Sequence, residues 1–89
     1  MAWVIQFSEK ARRQLKKLET PVARRIIQFL FQRVAPAPNP RSLGEALKGS
    51  ELGDFWRYRV GDYRIIASIE DEQVRILIVR IGNRREVYR

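Results

Sequence analysis

The segment that decides the fold is FWRYRVGDYRII, residues 55–66, and it is followed near the end of the chain by GNRREVY, residues 82–88. In the first segment, arginines alternate with large apolar residues at the spacing of a β-strand. Successive side chains of a strand point to opposite faces, so Arg57 and Arg59 share one face and the apolar side chains share the other. The pattern predicts a sheet with one apolar face and one face of fixed positive charge, which is the layout of a phosphate-binding surface.

The length and composition limit both the size of the protein and its chemistry. The chain has 89 residues, of which 45% are hydrophobic, so we expect a single folded domain over residues 1–89. It contains no cysteine and no histidine. Disulfides and thiolate sites are therefore excluded, and so are the commonest metal ligand and the commonest general base near neutral pH. Any catalysis must use other groups.

The charge of the chain points to an anionic partner. The formal net charge is +8, and 14 of the 18 basic residues are arginines. Arginine presents a planar fork that binds phosphate or carboxylate bidentately, whereas lysine acts as a point charge. Net charge alone suits nucleic acid, an anionic membrane or an acidic protein, and the arginine bias favours nucleic acid or a carboxylate-rich protein.

Neither a signal peptide nor a membrane span is expected from the sequence. The N-terminus lacks a basic region followed by an apolar run, and no stretch approaches the roughly 20 apolar residues of a transmembrane helix. We therefore expect a soluble protein of the cytoplasm.

The N-terminal half is predicted to form one strand and a helical hairpin. Residues 3–7 alternate weakly and indicate a short strand, and Ser8 is a suitable N-cap for a helix that runs to about Leu18. Thr20 and Pro21 predict the start of a second helix, with threonine as the cap and proline at the first helical position. The buried stripe of that helix is predicted to be Val22, Ile26, Phe29, Leu30 and Val34.

The C-terminal half is predicted to form a three-stranded meander after a long loop. Prolines end the second helix, and the length of the loop that follows indicates either a short helical turn near residues 43–47 or a functional role. Tight turns at Gly61-Asp62 and Asp71-Glu72 separate three strands, over residues 55–60, 63–70 and 73–80. A sheet with a helical hairpin on one face is a two-layer α+β domain. We expect the arginines on the open face, and core packing for Trp56, Tyr58 and Tyr63.

This order of elements resembles the RelE/ParE superfamily of bacterial toxins from toxin–antitoxin operons. The family pattern, L-x-G followed by W-x-x-R-V-G-x-Y-R-I-I and G-x-R-R-E-V-Y, is matched by residues 47–49, 56–66 and 82–88. The superfamily contains two activities on one fold, so the fold alone does not assign the function. RelE-type members cut mRNA in the ribosomal A site, whereas ParE-type members inhibit DNA gyrase.

The resemblance implies a set of catalytic residues that favours the RelE-type activity. RelE-type catalysis uses basic residues of the sheet together with an arginine and a tyrosine near the C-terminus. Matched by motif, the catalytic residues in this sequence are Arg57, Arg59, Arg64, Arg84 and Tyr88. The resemblance further implies metal-independent cleavage by the ribose 2′-hydroxyl, no cofactor, and three partners: mRNA, the ribosome with its rRNA, and a cognate antitoxin.

The predicted residues suit charge stabilisation better than proton transfer. Arg57, Arg64 and Arg84 are candidates for binding the phosphate, and Tyr88 for stacking on an unpaired base. Some family members have lysine in place of Arg59 and others have histidine in place of Asn83. Arginine keeps its proton and asparagine cannot transfer one, so the general base is left open, with Glu86 as one candidate.

Two other functions remain compatible with the sequence. The first is gyrase inhibition of the ParE type, supported by the shared fold. The second is a non-catalytic module that binds nucleic acid or antitoxin, suggested by the missing proton-transfer groups. Structural roles also compete for single residues: Arg85 fits an ordinary charged C-terminus, and the basic residues of the helices fit a solvated face with a secondary role against rRNA phosphates.

Overall fold

The computed structural model describes residues 2–47 and 55–87. Within these residues two α-helices pack on a mixed sheet of five strands, in the spatial order β1-β5-β4-β3-β2. The expected α+β architecture is confirmed. The elements in chain order are β1 Val4–Phe7, α1 Glu9–Lys16, α2 Thr20–Phe29, β2 Glu45–Ala46, β3 Trp56–Val60, β4 Tyr63–Glu70 and β5 Arg75–Asn83.

The helical hairpin begins as predicted and differs at one cap. Ser8 caps α1, because its hydroxyl accepts a hydrogen bond from the Ala11 amide at 3.1 Å. Pro21 lies in the first turn of α2 as expected, but the N-cap is Glu19 and not Thr20, and the Glu19 side chain makes no capping hydrogen bond. The predicted stripe is confirmed: three of its residues are fully buried and two are half-buried, namely Ile26, Leu30 and Val34, then Val22 and Phe29.

The connection between α2 and the meander contains more structure than a loop. The helix continues as a π-helical turn over Leu30–Val34, and a 3-10 turn follows at Pro40–Leu43. The helical turn expected near residues 43–47 is therefore wrong in position, because Glu45–Ala46 is extended and pairs with β3. Gly44 permits this pairing, since a Cβ there would lie 2.8 Å from the Arg57 carbonyl oxygen.

The sheet combines the predicted antiparallel meander with a parallel edge. β3, β4 and β5 pair antiparallel in sequence order, and β1 pairs parallel with β5. β5 ends at Asn83, three residues later than predicted. The connection before β5 is four residues long and not two, and Val74 within it has a φ of 49°.

The core lies between the helices and one face of the sheet. It contains Tyr58, Ile65, Ile76, Ile78 and Ile81 from the strands, together with the buried stripe of α2. Phe29 of α2 meets the Tyr58 ring edge-on, with ring centroids 5.9 Å apart. Of the three aromatic residues expected in the core, Tyr58 is fully buried, and Trp56 and Tyr63 are half-buried. No helix in the described part of the chain is long and apolar enough to cross a membrane.

Candidate active site

Among the arginines on the sheet face opposite the helices, four lie in two neighbouring cross-strand rows. Arg57 pairs with Ile66, and Ile66 pairs with Arg80. In the next row Arg59 pairs with Arg64, and Arg64 pairs with Gly82. Residues that pair directly across a sheet share a face, so these arginines form one surface. We call Arg57, Arg59, Arg64 and Arg80 the arginine face.

The pairing of Arg59 with Arg64 is unfavourable on its own. Like charges directly opposite each other destabilise a sheet, by roughly 0.2–1 kcal/mol for a pair of this kind. Two sets of acceptors in the structure offset that cost. Arg64 Nη1 donates to the carbonyl oxygens of Gly61 and Tyr63, each at 3.0 Å, and Arg59 Nε lies 3.3 Å from a carboxylate oxygen of Glu45.

Glu45 connects the first two arginines of the surface. It is the cross-strand partner of Arg57, and Arg57 Nη2 donates to its Oε2 at 3.0 Å. Its other oxygen, Oε1, receives Arg59. Among the described residues, the expected array of positive charge therefore includes the carboxylate of Glu45. Glu45 and Arg59 remain 56% and 55% exposed, so water and a ligand both reach the carboxylate.

Arg84 belongs to a turn that folds back beside the arginine face. We call residues 83–87 the C-terminal turn. The Arg84 amide donates to the Asp62 carbonyl oxygen at 2.9 Å, in the turn between β3 and β4. Arg64 donates to Gly61 of that same turn. The Arg64 side chain and the Arg84 backbone amide thus bind the carbonyl groups of consecutive residues, although the two arginines lie 20 positions apart in the sequence.

The C-terminal turn covers part of the sheet face that was expected to be open. Val87 is only 3% exposed and packs at Gly82, where a Cβ would lie 3.5 Å from Val87. Arg80 Nη1 reaches the Val87 carbonyl oxygen at 3.4 Å. Ile66 lies between Arg57 and Arg80 in its row and is fully buried. The expectation of an open face is therefore wrong at this end of the sheet, where arginine stems and the C-terminal turn cover the apolar surface.

Tyr58 fixes β3 from the core side of the sheet. Its hydroxyl donates to the Pro40 carbonyl oxygen at 2.8 Å, which ties β3 to the 3-10 turn just before β2. Burial raises the pKa of Tyr58 to about 12, against a smaller opposing effect of the Arg41 charge. Arg41 in turn forms two hydrogen bonds with Asp71, at 2.9 and 2.7 Å, and lies over the Trp56 ring. This guanidinium holds the pKa of Asp71 below its usual value.

Comparison with known proteins identifies the chain. Residues 5–88 match a family model described as the ParE toxin of the type II toxin–antitoxin system, parDE. The toxin RelG of Mycobacterium tuberculosis is 30% identical over 89 residues, a span that covers 100% of this chain and 99% of RelG. The chain belongs to the RelE/ParE toxin family.

The fold of this RelE/ParE toxin is similar to the folds of solved RelE proteins. A chain of the RelBE2 toxin–antitoxin complex from Mycobacterium tuberculosis gives a TM-score of 0.84 at 28% identity, covering 97% of this chain and 95% of that chain. The archaeal RelE–RelB complex from Pyrococcus horikoshii gives 0.75 at 26% identity, with 98% and 100% covered. The protein is thus a type II toxin with a RelE-like fold.

The structure brings together four of the five residues predicted for catalysis in this RelE/ParE toxin. Arg57, Arg59 and Arg64 share the arginine face, and Arg84 is held beside it by the C-terminal turn. Tyr88 lies outside the described residues. Among residues 2–47 and 55–87, no group of three or more His, Cys, Asp or Glu side chains is arranged to hold a metal ion.

Two residues of the site are not predicted by the sequence. Arg80 is the last residue of its predicted strand, and only the register with Ile66 puts it on the arginine face. Glu45 falls in the loop before the meander, whereas the structure places it in β2 against two of the arginines. Glu86, the base candidate from the sequence, instead lines a cleft beside Tyr63 and Lys17, the residue that follows α1.

Proposed function

We propose that this RelE/ParE toxin is an endoribonuclease that cuts mRNA in the ribosomal A site and so inhibits translation. The observation that carries the proposal is the direct cross-strand pairing of Arg59 with Arg64 on a face that also holds Arg57 and Arg80. A surface selected for stability alone gains nothing from like charges placed opposite each other. A surface that must bind a phosphate and stabilise added negative charge needs cations placed in this way.

The arginines suit the electrostatic part of the reaction. The ribose 2′-oxygen attacks the adjacent phosphorus, the bond to the 5′-oxygen breaks, and the phosphorane in between carries extra negative charge. The side chains that bind the phosphate oxygens and stabilise that charge are Arg57, Arg64 and Arg84. Because the backbone that carries them is anchored, they also hold the phosphate in line for attack. Hydrogen bonds within the protein fix two of these side chains before the RNA arrives, since Arg57 donates to Glu45 and Arg64 to the carbonyl oxygens of Gly61 and Tyr63.

Glu45 supplies a proton acceptor, which the arginines lack. It is the acidic side chain that contacts both Arg57 and Arg59, and a carboxylate accepts a proton whereas a guanidinium at neutral pH does not. We assign Glu45 as the general base that takes the 2′-hydroxyl proton. The leaving 5′-oxygen takes a proton from water, which reaches the half-exposed carboxylate and Arg59. Tyr88 follows the C-terminal turn in the sequence and is assigned to stacking on a base of the mRNA.

The partners of the proposed reaction follow from charge and from the related complexes. The basic faces of the helices, with Lys10, Arg12, Arg13 and Lys16 on α1, suit contact with rRNA phosphates and do not read sequence. The related structures from Mycobacterium tuberculosis and Pyrococcus horikoshii are toxin–antitoxin complexes. A cognate antitoxin is accordingly proposed for this chain, with acidic side chains that meet the arginine face.

The test compares mRNA cleavage with gyrase inhibition for the same preparation. The toxin is induced in cells that lack its antitoxin, and mRNA ends are mapped by primer extension. The proposal expects new ends at a fixed position within codons, and their loss in Arg64→Ala and Arg84→Ala. Purified gyrase is assayed in parallel for supercoiling. Intact mRNA together with inhibited supercoiling would instead support a ParE-type activity. If the toxin neither cuts mRNA nor inhibits supercoiling, the result would support a non-catalytic protein.

A further inference from the structure

Asn83 carries three hydrogen bonds at the point where β5 ends and the C-terminal turn begins. Its side-chain Oδ1 accepts the Arg85 amide at 3.0 Å. Its carbonyl oxygen accepts the Glu86 amide at 2.9 Å and the Val87 amide at 3.0 Å. An asparagine that binds the amide two residues ahead forms an Asx turn, which substitutes for a turn of the backbone itself.

These bonds fix the backbone on both sides of Arg84. The Arg84 amide is bound to the Asp62 carbonyl oxygen at 2.9 Å, and the next amide, that of Arg85, is bound to Asn83. The position of Asn83 itself is fixed by the strand register, because Asn83 pairs with Tyr63 of β4. Arg84 is therefore held between two fixed peptide groups, although its own side chain is exposed.

We propose that Asn83 is a positioning residue for Arg84, and that it acts through the Asx turn and takes no part in proton transfer. The inference rests on the proposed nuclease function, because it concerns how one arginine of that site is held. Its side-chain oxygen is committed to the Arg85 amide, and its cross-strand partner is Tyr63, which packs against the core. Asn83 therefore lies on the face of the sheet opposite the arginine face. A displacement of about 1 Å in a catalytic group lowers a rate by about 100-fold, which makes such a fixed turn worth retaining.

The variants that test this role differ only in the side-chain acceptor. Asn83→Ala removes the acceptor, and Asn83→Ser keeps a weaker one, because a hydroxyl forms the same turn less well. Asn39→Ala is the matched control, since Asn39 Oδ1 accepts the Arg41 amide at 3.1 Å in the same kind of turn, before the 3-10 turn and away from the arginine face. Each variant is also combined with Arg84→Ala.

The expected result is a graded loss of mRNA cleavage on purified ribosomes. Asn83→Ala slows the cut by about 10- to 100-fold, Asn83→Ser lies between it and the wild type, and Asn39→Ala matches the wild type. In the Arg84→Ala background, Asn83→Ala causes no further loss, because the arginine through which it acts is gone. An equal loss in both backgrounds would overturn the inference, and so would wild-type cleavage by Asn83→Ala.

Amide hydrogen exchange separates this inference from the proposed function. Asn83→Ala is expected to speed exchange at the Arg85 amide, with amides of the β3–β4 pairing unchanged. If the wild type cuts no mRNA, the nuclease proposal fails and the exchange result still tests whether Asn83 holds the turn around Arg84. Unchanged exchange at Arg85 would overturn the positioning role whatever the cleavage assay shows.

Discussion

Glu45 and Arg57 are direct cross-strand partners, and their side chains form an ion pair of 3.0 Å on the face of the sheet opposite the helices. The same carboxylate also receives Arg59, so one acidic side chain holds two of the arginines proposed to bind the scissile phosphate. Glu45 gives the site a proton acceptor. The chain contains no cysteine and no histidine that could serve in its place.

Glu45→Gln is expected to lower the rate of mRNA cleavage by about 10²–10⁴-fold, the usual contribution of a general base. Glu45→Asp keeps a carboxylate at this position and should retain more of the rate than Glu45→Gln, which has no proton acceptor. Single-turnover cleavage on ribosomes measures both rates. Equal losses in the two variants would show that Glu45 only orients the arginines.

The control for that variant is Glu70→Gln. Glu70 forms an ion pair with Arg75 on the same face of the sheet, in the row where β1, β5 and β4 meet. Its loss should leave the cleavage rate unchanged, because the pair lies two rows along this face from the row of Glu45. Equal losses in both variants would point to a general effect of charge and argue against a specific base.

Gly44→Ala is expected to reduce the free energy of unfolding by about 1–3 kcal/mol, the usual cost of overpacking. A Cβ at Gly44 would lie 2.8 Å from the Arg57 carbonyl oxygen and 3.0 Å from the Tyr58 ring, and the backbone atom cannot move aside cheaply. Urea unfolding measures the loss. Gly82→Ala is the matched control, because its Cβ meets Val87 at an ordinary 3.5 Å and the change should stay below about 1 kcal/mol.

Tyr58→Phe is expected to lower the free energy of unfolding at neutral pH by about 1–3 kcal/mol, since the buried Pro40 carbonyl oxygen loses its donor. Burial raises the pKa of Tyr58 to about 12, above its ordinary value of 10.0, so folding favours the neutral phenol. That contribution is complete below pH 10 and is lost as the pH rises from 10 towards 12. Urea unfolding at several alkaline pH values should show the decline in the wild type, and a parallel decline in Tyr58→Phe would contradict the assignment.

The sequence was sufficient to predict the parts of the fold in which apolar residues recur at the regular spacing of a strand or a helix. The alternation in residues 55–66 predicted β3 and the start of β4, and the spacing of Ile26, Leu30 and Val34 predicted the face of α2 that is buried. It failed where long-range contacts decide the conformation. The two residues of β2 have no period of their own, and they become a strand because Gly44 lets them approach β3.

The same limit applies to the candidate site. Arg57, Arg59, Arg64 and Arg84 lie in motifs and were predicted, whereas Arg80 and Glu45 depend on register. The register between β4 and β5 shifts between Ile66 and Ala67, so counting residues along β5 does not show that Arg80 joins Arg57. The role of Asn83 was also hidden, because an Asx turn is visible only from the atoms that the side chain contacts.

The proposed nuclease activity is tested by primer extension on mRNA bound to purified ribosomes, with wild-type toxin and with Arg64→Ala. Arg33→Ala, which removes an exposed arginine of the π-helical turn, controls for the loss of one positive charge. We expect cuts in the A-site codon that require the ribosome, a loss of about 10²–10³-fold in Arg64→Ala, and a smaller change in Arg33→Ala. Intact mRNA with the wild type, or cuts of equal strength with Arg64→Ala, would contradict the proposed nuclease activity.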